Sequence, residues 1–345
     1  MSKSFLVVGA GLAGSSIALR LLWAKNDVKV VDCGTNSSTA IAAGMVNPMV
    51  FRRMNKSWRL DEFMQYAEPF YKKLEELYKE KLFSPITIRR LFSSQQEKNF
   101  WLERQEDANY SSYLNRISPE DEGFDSAKND FGSGTVNEGF WINAKVFYKS
   151  SLDYFRSLNC LLEEHFDYAE FNPEKASYQG ITYDGVIFCV GFKQFEIPFF
   201  NNLPVQTTKG QVLTVHSQAL PENESLNRKC FVLPIGNQNF KVGATYEWNQ
   251  TDLNLTPEAK AHLLGNLAVL TDSKVEVVEQ QAGIRPTTID RRPIMGRHAV
   301  FSKLYVFNGL GTKGYMMAPL LSQEMTDFIL EGKALNAEVR LERFS

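Results

Sequence analysis

Apolar and polar positions along the chain alternate between two rhythms, and the change of rhythm marks the elements. Phe5-Leu6-Val7-Val8 is a continuous apolar run of strand length, and a helical apolar stretch follows it to Trp23. Val28-Lys29-Val30-Val31 is a second strand. Residues 61–82 carry aromatic and aliphatic residues at helical spacing (Phe63, Tyr66, Phe70, Tyr71, Leu74, Leu77, Tyr78), with Pro69 as a point where the helix can kink. Ile86 to Phe92 reads as a strand and 95–109 as a helix. Residues 118–135 are polar, acidic and glycine-bearing, which predicts loops and edge strands. Asn143 caps a helix from Ala144 to Leu158. A strand from Cys160 to His165 follows, and Asp184 to Gly191 is a buried strand ending in glycine.

From Val205 the pattern turns to strands joined by turns: 211–216, 230–234 and 240–246, material for an antiparallel sheet. Thr256-Pro257 opens a helix to Leu270, with Thr256 as cap and proline at the first helical position. Lys274 to Ile284 is a long strand and Leu304 to Asn308 a short buried one. A last helix spans about 315–331. Buried strands alternating with helices, interrupted by antiparallel material, predict an α/β fold: a Rossmann-like nucleotide-binding domain with an interrupting α+β substrate domain that carries a mostly antiparallel sheet. The nucleotide-binding domain takes 1–50, 137–200 and 288–345, and the substrate domain 51–136 and 201–287. The ligand is expected between them.

Two glycine clusters carry candidate chemistry. Gly9-Ala10-Gly11-Leu12-Ala13-Gly14 lies between the first strand and first helix. Gly9 permits the tight turn, Gly11 lets backbone approach a pyrophosphate, and Gly14 lets the helix pack on the sheet. The helix N-terminus offers amides and a positive dipole end to phosphate. Asp32, at the end of the second strand, is placed to accept from ribose hydroxyls and to repel a 2′-phosphate, which disfavours NADP. FAD and NAD both stay open on this stretch, and a tight turn without ligand is the bland alternative. Asn308-Gly309-Leu310-Gly311-Thr312-Lys313-Gly314 repeats the logic at the start of the last helix. A nucleotide long enough to touch both helix N-termini is FAD, its pyrophosphate at the first and its flavin edge at the second.

Composition narrows the classes. The chain has 345 residues, 43% of them hydrophobic, and a net charge of −2. That balance argues against a strongly electrostatic nucleic-acid binder, although Arg52, Arg53, Lys56 and Arg59 form a local basic cluster that reads best as a solvated face. Cys33, Cys160, Cys189 and Cys230 form no CxxC pair, and three sit in apolar runs, as expected of reduced thiols in a cytoplasmic protein. The apolar N-terminus reads as strand and helix rather than signal peptide, and no apolar run reaches the length of a membrane span. His165, His216, His262 and His298 have no ligand spacing, so no metal is expected.

In five places, taken in order, the chain resembles the glycine/D-amino-acid oxidase family of FAD-dependent oxidoreductases. These are Gly9 to Gly14 with Asp32; Ala42-Ala43-Gly44-Met45-Val46-Asn47-Pro48; Asp184 to Gly191; Ala282-Gly283-Ile284-Arg285-Pro286 with Asp290 to Gly296; and Gly309 to Pro319. The resemblance spans almost the whole length and implies a non-covalently bound FAD, since no cysteine falls in the last motif. It implies that Gly9, Ala10, Gly11, Leu12, Ala13 and Gly14 receive the pyrophosphate and Asp32 the ribose. Cys33 and Tyr168 lie toward the adenine, and Gly191 closes its strand beside the cofactor. Thr39 and Ala42, Ala43, Gly44 and Met45 run along the isoalloxazine. Gly309, Gly311, Thr312, Lys313 and Gly314 hold the flavin C2 carbonyl and stabilise charge on the reduced ring. Arg285 receives a substrate carboxylate; the alternative is a structural salt bridge. Tyr246 lines the pocket or else packs across strands.

The implied reaction is oxidation of the C–N bond of a small amine or amino acid of the glycine, sarcosine or D-amino-acid type. Hydride passes to the flavin, the imine is hydrolysed, and oxygen or another acceptor takes the electrons. Two further readings stay in view. One is a tRNA-modification oxidase acting on a carboxymethylaminomethyl-uridine-type base, because the 40–80 region has likeness to the oxidase domain of the bifunctional methylaminomethyl-uridine tRNA protein. The other is a non-catalytic flavoprotein.

Overall fold

The computed structural model describes residues 2–35, 37–51, 54–115, 117, 127–200 and 202–344. The apolar runs Ser4–Val8, Asp27–Val31, Gly185–Phe188 and Leu304–Asn308 pair in parallel. Leu161–Leu162 extends this sheet on one side, parallel to Asp27–Val31, and Ile294–Arg297 closes the other, antiparallel to Leu304–Asn308. Gly185–Phe188 and Leu304–Asn308 are buried throughout, because helices and loops cover both faces. The expected strand over 160–165 is thus cut to two residues at the sheet's edge.

The first helix, Leu12–Trp23, packs along the last, Gly314–Glu331. Pro319 sits inside the last helix and has no N–H, so the Tyr315 carbonyl four residues back loses its ordinary partner. The Tyr71 hydroxyl donates to that carbonyl at 2.6 Å. Tyr71 comes from the helix Leu60–Tyr78, which runs unbroken through Pro69 and buries Phe63, Phe70, Tyr71 and Leu74 in the core under the first sheet. Residues 51–136, grouped by sequence with the substrate domain, therefore divide. The helix packs on the nucleotide side, where its aromatic stripe finds the last helix, and Thr87–Leu91 and Ser133–Val136 join the second sheet. Residues 118–126 of the polar stretch lie outside the described residues.

The second sheet is built on Val205–His216. Glu276–Thr288 pairs one edge of it along its whole length, and Asn239–Gly243 and Glu247–Trp248 pair the other. Cys230–Gly236, Glu224–Arg228, Thr87–Leu91 and Ser133–Val136 follow in that order, all antiparallel except Glu224–Arg228 against Thr87–Leu91. The expected strand to Ile284 continues to Thr288, through Pro286. A proline is tolerated there because Glu276–Thr288 is an edge strand, where a missing N–H breaks no ladder bond. Alternation divides the sheet into two faces. Leu213, Val215, Leu226, Val232, Phe240 and Val242 turn to the helix Pro257–Leu270, which answers with Leu263, Leu267 and Leu270. Each such leucine contributes about 1.5–3 kcal/mol by leaving water. Thr256 caps this helix through the Ala259 amide. The opposite face is glycine-rich and looks toward the first sheet.

Candidate active site

A cavity of about 1150 Å³ lies between the glycine-rich ends of the first sheet and the inner face of the second. At its nucleotide end the backbone leaves Ser4–Val8 at Gly9 with φ +96°. A Cβ on Gly14 would lie 1.7 Å from the Gly9 carbonyl oxygen, so glycine here lets the helix close onto the strand. Gly9, Gly11, Leu12 and Ala13 line the cavity, whereas Ala10 and Gly14 do not. Ala10 instead donates its amide to Asp32 Oδ2 at 2.6 Å. Asp32 also accepts from the Gly34 amide at 2.7 Å and the Tyr148 hydroxyl at 3.2 Å, and still borders the cavity. A carboxylate has about four acceptor sites; the three bonds fix its plane and leave acceptor capacity on Oδ2 for a sugar hydroxyl.

The helix N-terminus is less open than the motif suggests. The Leu12 amide donates to Thr39 Oγ1 at 2.9 Å, so Thr39 borders the cavity with its hydroxyl turned back onto the helix. The Tyr315 hydroxyl holds the Thr39 carbonyl at 2.9 Å. Gly11 and Ala13 both line the cavity, and among the described residues nothing accepts from their amides, which leaves them for phosphate.

Cys33, Tyr168 and Gly191 all line the same end of the cavity, joined by Glu164 and His165. Cys33 Sγ lies 2.8 Å from Thr35 Oγ1. The Gly191 carbonyl accepts from the Asn308 side chain at 2.8 Å, which ties the two strand ends together.

Farther along, Ala42, Ala43, Gly44 and Met45 form one wall. A Cβ on Gly44 would lie 1.9 Å from the Ile142 carbonyl oxygen, so this wall has no room for a side chain. Its carbonyls are anchored from behind. Trp141 Nε1 donates to Ala43 at 2.9 Å, and Lys241 Nζ donates to Ile41 and Ala42 at 3.1 and 3.2 Å. Burial pushes the Lys241 ammonium down to about 8. Sequence reasoning passed over Lys241, since only strand pairing shows that it shares the inner face with Gly243.

Gly311, Thr312, Lys313 and Gly314 border the cavity; Gly309, at φ +77°, makes the turn behind them. A Cβ on Gly314 would sit 2.8 Å from Leu12 Cδ2, so the two helix N-termini are packed against each other by glycine. Lys313 Nζ donates to the Asn47 carbonyl at 2.8 Å and Ser57 Oγ at 2.5 Å, leaving one ammonium proton. No carboxylate pairs with it among the described residues, and burial pushes it down to about 8.

Arg285 lies flat on the floor made by the second sheet. A Cβ on Gly210 would lie 2.2 Å from its Nη1, so glycine there opens the space the guanidinium fills. The Tyr246 ring stacks on it at 4.9 Å, and Nη1 reaches the Thr245 carbonyl at 3.4 Å. Among the described residues no acid pairs with Arg285, so a structural salt bridge has no partner there. Burial lowers its proton affinity. Tyr246 lines the cavity and is 58% exposed, a cover over the arginine rather than a packed core ring.

Of the basic cluster, Arg52 and Arg53 lie outside the described residues. Lys56 pairs with Asp61 at 2.6 Å, and Arg59 with Glu62 at 2.7 Å and Glu324 at 2.5 Å. The described residues hold no cluster of three or more metal-ligating side chains, and none of their helices is long and apolar enough to cross a membrane.

The profile of the DAO family, described as FAD dependent oxidoreductases, matches residues 4–328. The chain belongs to this family. Glycine oxidase of Bacillus subtilis is 24% identical to it over 353 residues, covering 94% of this chain and 92% of the relative. The tRNA 5-methylaminomethyl-2-thiouridine biosynthesis bifunctional protein of Idiomarina loihiensis is 32% identical over 131 residues, which is 36% of this chain and 21% of that protein. The match therefore spans about a fifth of that relative. The crystal structure of glycine oxidase from Geobacillus kaustophilus superposes with a TM-score of 0.83 at 18% identity, covering 100% of this chain and 98% of that one.

The cavity fits the cofactor that the family uses. Its length joins two glycine-cleared helix N-termini, Asp32 stands at one end, and Lys313 supplies a half-buried cation with no counter-ion among the described residues at the other. This FAD-dependent oxidoreductase would hold the pyrophosphate on Gly11 and Ala13, the ribose on Asp32 and the electron-rich flavin edge near Lys313.

Proposed function

We propose that this flavoenzyme oxidises the C–N bond of a small amine or amino acid that carries a carboxylate. The observation behind the reading is Arg285: a half-buried guanidinium, facing the cavity, with no acid to neutralise it among the described residues. Planar and fork-shaped, it suits a carboxylate through two parallel hydrogen bonds. Bound FAD supplies the two-electron acceptor. The chain's own groups do the rest. Arg285 fixes the carboxylate, Tyr246 covers it from solvent, and the Ala42–Met45 wall, pinned by Lys241 and Trp141, sets how deep the amine enters. Lys313 gives a positive potential where negative charge collects on reduction. The amine loses its proton to water before oxidation, and water hydrolyses the imine to the oxo acid. Oxygen or another acceptor then takes the electrons.

In this reading the FAD-binding unit comprises 1–50, 137–200 and 288–345, with the helix Leu60–Tyr78 seated on it, and the rest of 51–136 and 201–287 forms the substrate unit. A second reading takes a carboxymethylaminomethyl-type base in tRNA as substrate. The partial match to the tRNA-modifying relative favours it, and the acid pairing of Lys56 and Arg59 removes part of the surface it would use. Anaerobic bleaching of the flavin over a panel of glycine, sarcosine, proline, D-amino acids and undermodified tRNA separates the two. Bleaching by a free amino acid supports the first. Bleaching by tRNA alone overturns it.

A further inference from the structure

The floor of the cavity has a second polar end. Strand registers place Val212, Gly243, Phe231, Asn227 and Arg90 on one transverse row of five neighbouring strands, and all five line the cavity. The row begins two residues from Gly210, over which Arg285 lies. Its first half is apolar: Val212, Gly243 and Phe231. Its second half presents donors. Arg90 Nε pairs with Glu97 at 2.7 Å and Nη1 donates to Asn227 Oδ1 at 2.8 Å. Arginine has only donors, so the Asn227 oxygen must face it, and the amide nitrogen turns the other way. Among the described residues nothing accepts from that nitrogen. Lys229, two residues on, stands at the cavity's rim in a left-handed turn, exposed and without an acid partner among the described residues.

From the strand under Arg285 to the strand of Asn227 is three strand spacings, about 14 Å. A glycine-sized molecule held by Arg285 cannot touch the far end. A chain that crosses the row meets apolar surface first and hydrogen-bond donors afterwards.

We infer that the substrate is an amino acid whose nitrogen or side chain carries an extended alkyl arm ending in a second carboxylate, received by the Asn227 amide and Lys229. This rests on the amine-oxidising reading with Arg285 at the first carboxylate. The apolar row sorts for the methylenes, the donor end for the anion, and the distance for the arm's length.

The test uses the holoenzyme with two series of N-substituted glycines of increasing arm length, one ending in methyl and one in carboxylate. The ratio of kcat/KM, carboxylate over methyl, is expected to rise with length to about tenfold or more and then fall. Asn227→Leu combined with Lys229→Met brings that ratio near one, and Lys229→Met alone, at an exposed turn, lowers it part-way. A ratio near one at every length in the wild type overturns the inference, as does a high ratio that neither variant moves. If methyl-ended glycines bleach the flavin and the second carboxylate adds nothing, this inference alone fails. If no amine of either series bleaches it, the amine-oxidising reading fails with it.

Discussion

The two walls of the cavity satisfy their polar groups to different degrees. On the nucleotide wall the polar side chains already hold hydrogen-bond partners inside the fold: Asp32 takes two amides and a hydroxyl, Thr39 takes the Leu12 amide, and the Lys313 ammonium, itself without an acid among the described residues, donates to Asn47 and Ser57. On the wall of the second sheet, Arg285 touches an aromatic face and one carbonyl at 3.4 Å and meets no acid among the described residues. A guanidinium partly withdrawn from water carries a desolvation cost that a paired anion offsets. The difference separates two jobs. The first wall is pre-organised to hold a cofactor that stays, and the second is left incomplete until a ligand arrives.

Perturbing the first wall should act mainly on folding and flavin retention. The largest effect is expected at Gly14→Ala. A methyl placed 1.7 Å from the Gly9 carbonyl oxygen forces the helix off the strand, with a loss of about 3 kcal/mol and of bound flavin. Urea unfolding and the absorbance of the purified protein check both. If flavin content and midpoint stay at wild-type values, the close packing inferred for this turn is wrong.

A smaller effect follows from the two half-buried lysines of the site. Lys313 and Lys241 are each pushed down to about 8, below the value of about 10.4 for an unfolded chain. Between those values the unfolded chain binds more protons, so these groups make stability rise with pH across that window, while below about 8 both stay charged and the full cost of burial remains. In flavin-free protein, the melting temperature of Lys313→Met relative to wild type should therefore fall as pH climbs from 8 to 10. A difference that is flat with pH would mean that the ammonium is not desolvated.

The mildest expected change is Thr39→Val, which removes the acceptor of the Leu12 amide and should lower stability by about 1 kcal/mol. Flavin affinity should drop several-fold, because the helix N-terminus is no longer held. Titration of the apoprotein with FAD reads it.

The same contrast explains what the sequence makes legible. Gly9 to Gly14, Asp32 and Gly309 to Gly314 are local motifs whose roles follow from turn, helix and strand in succession, and the cavity runs along both turns. The roles inside them are less local. Thr39 caps a helix 27 residues away, and Ala10 and Gly14 serve packing rather than the cavity. The second wall depends on pairing between distant strands. Gly210, Gly243 and Arg285 share a face only because three strands align in one register, and Lys241 reaches the Ala42 wall across the interface. No spacing along the chain encodes that register. The helix Leu60–Tyr78 shows the same limit: its aromatic stripe is plain in the sequence, but the surface it covers is the last helix, distant in the chain, where Tyr71 also meets the Tyr315 carbonyl.

On this reading Arg285 awaits a carboxylate. The most direct measurement is a titration of the oxidised holoenzyme with non-oxidisable carboxylates and their isosteric amides, read by the change in flavin absorbance, in the wild type and in Arg285→Met. Carboxylates should perturb the wild-type spectrum with affinity about 100-fold above the amides, and the variant should keep its flavin and lose that preference. Equal binding of carboxylate and amide in the wild type, or an undiminished preference in Arg285→Met, would mean that Arg285 does not receive the carboxylate.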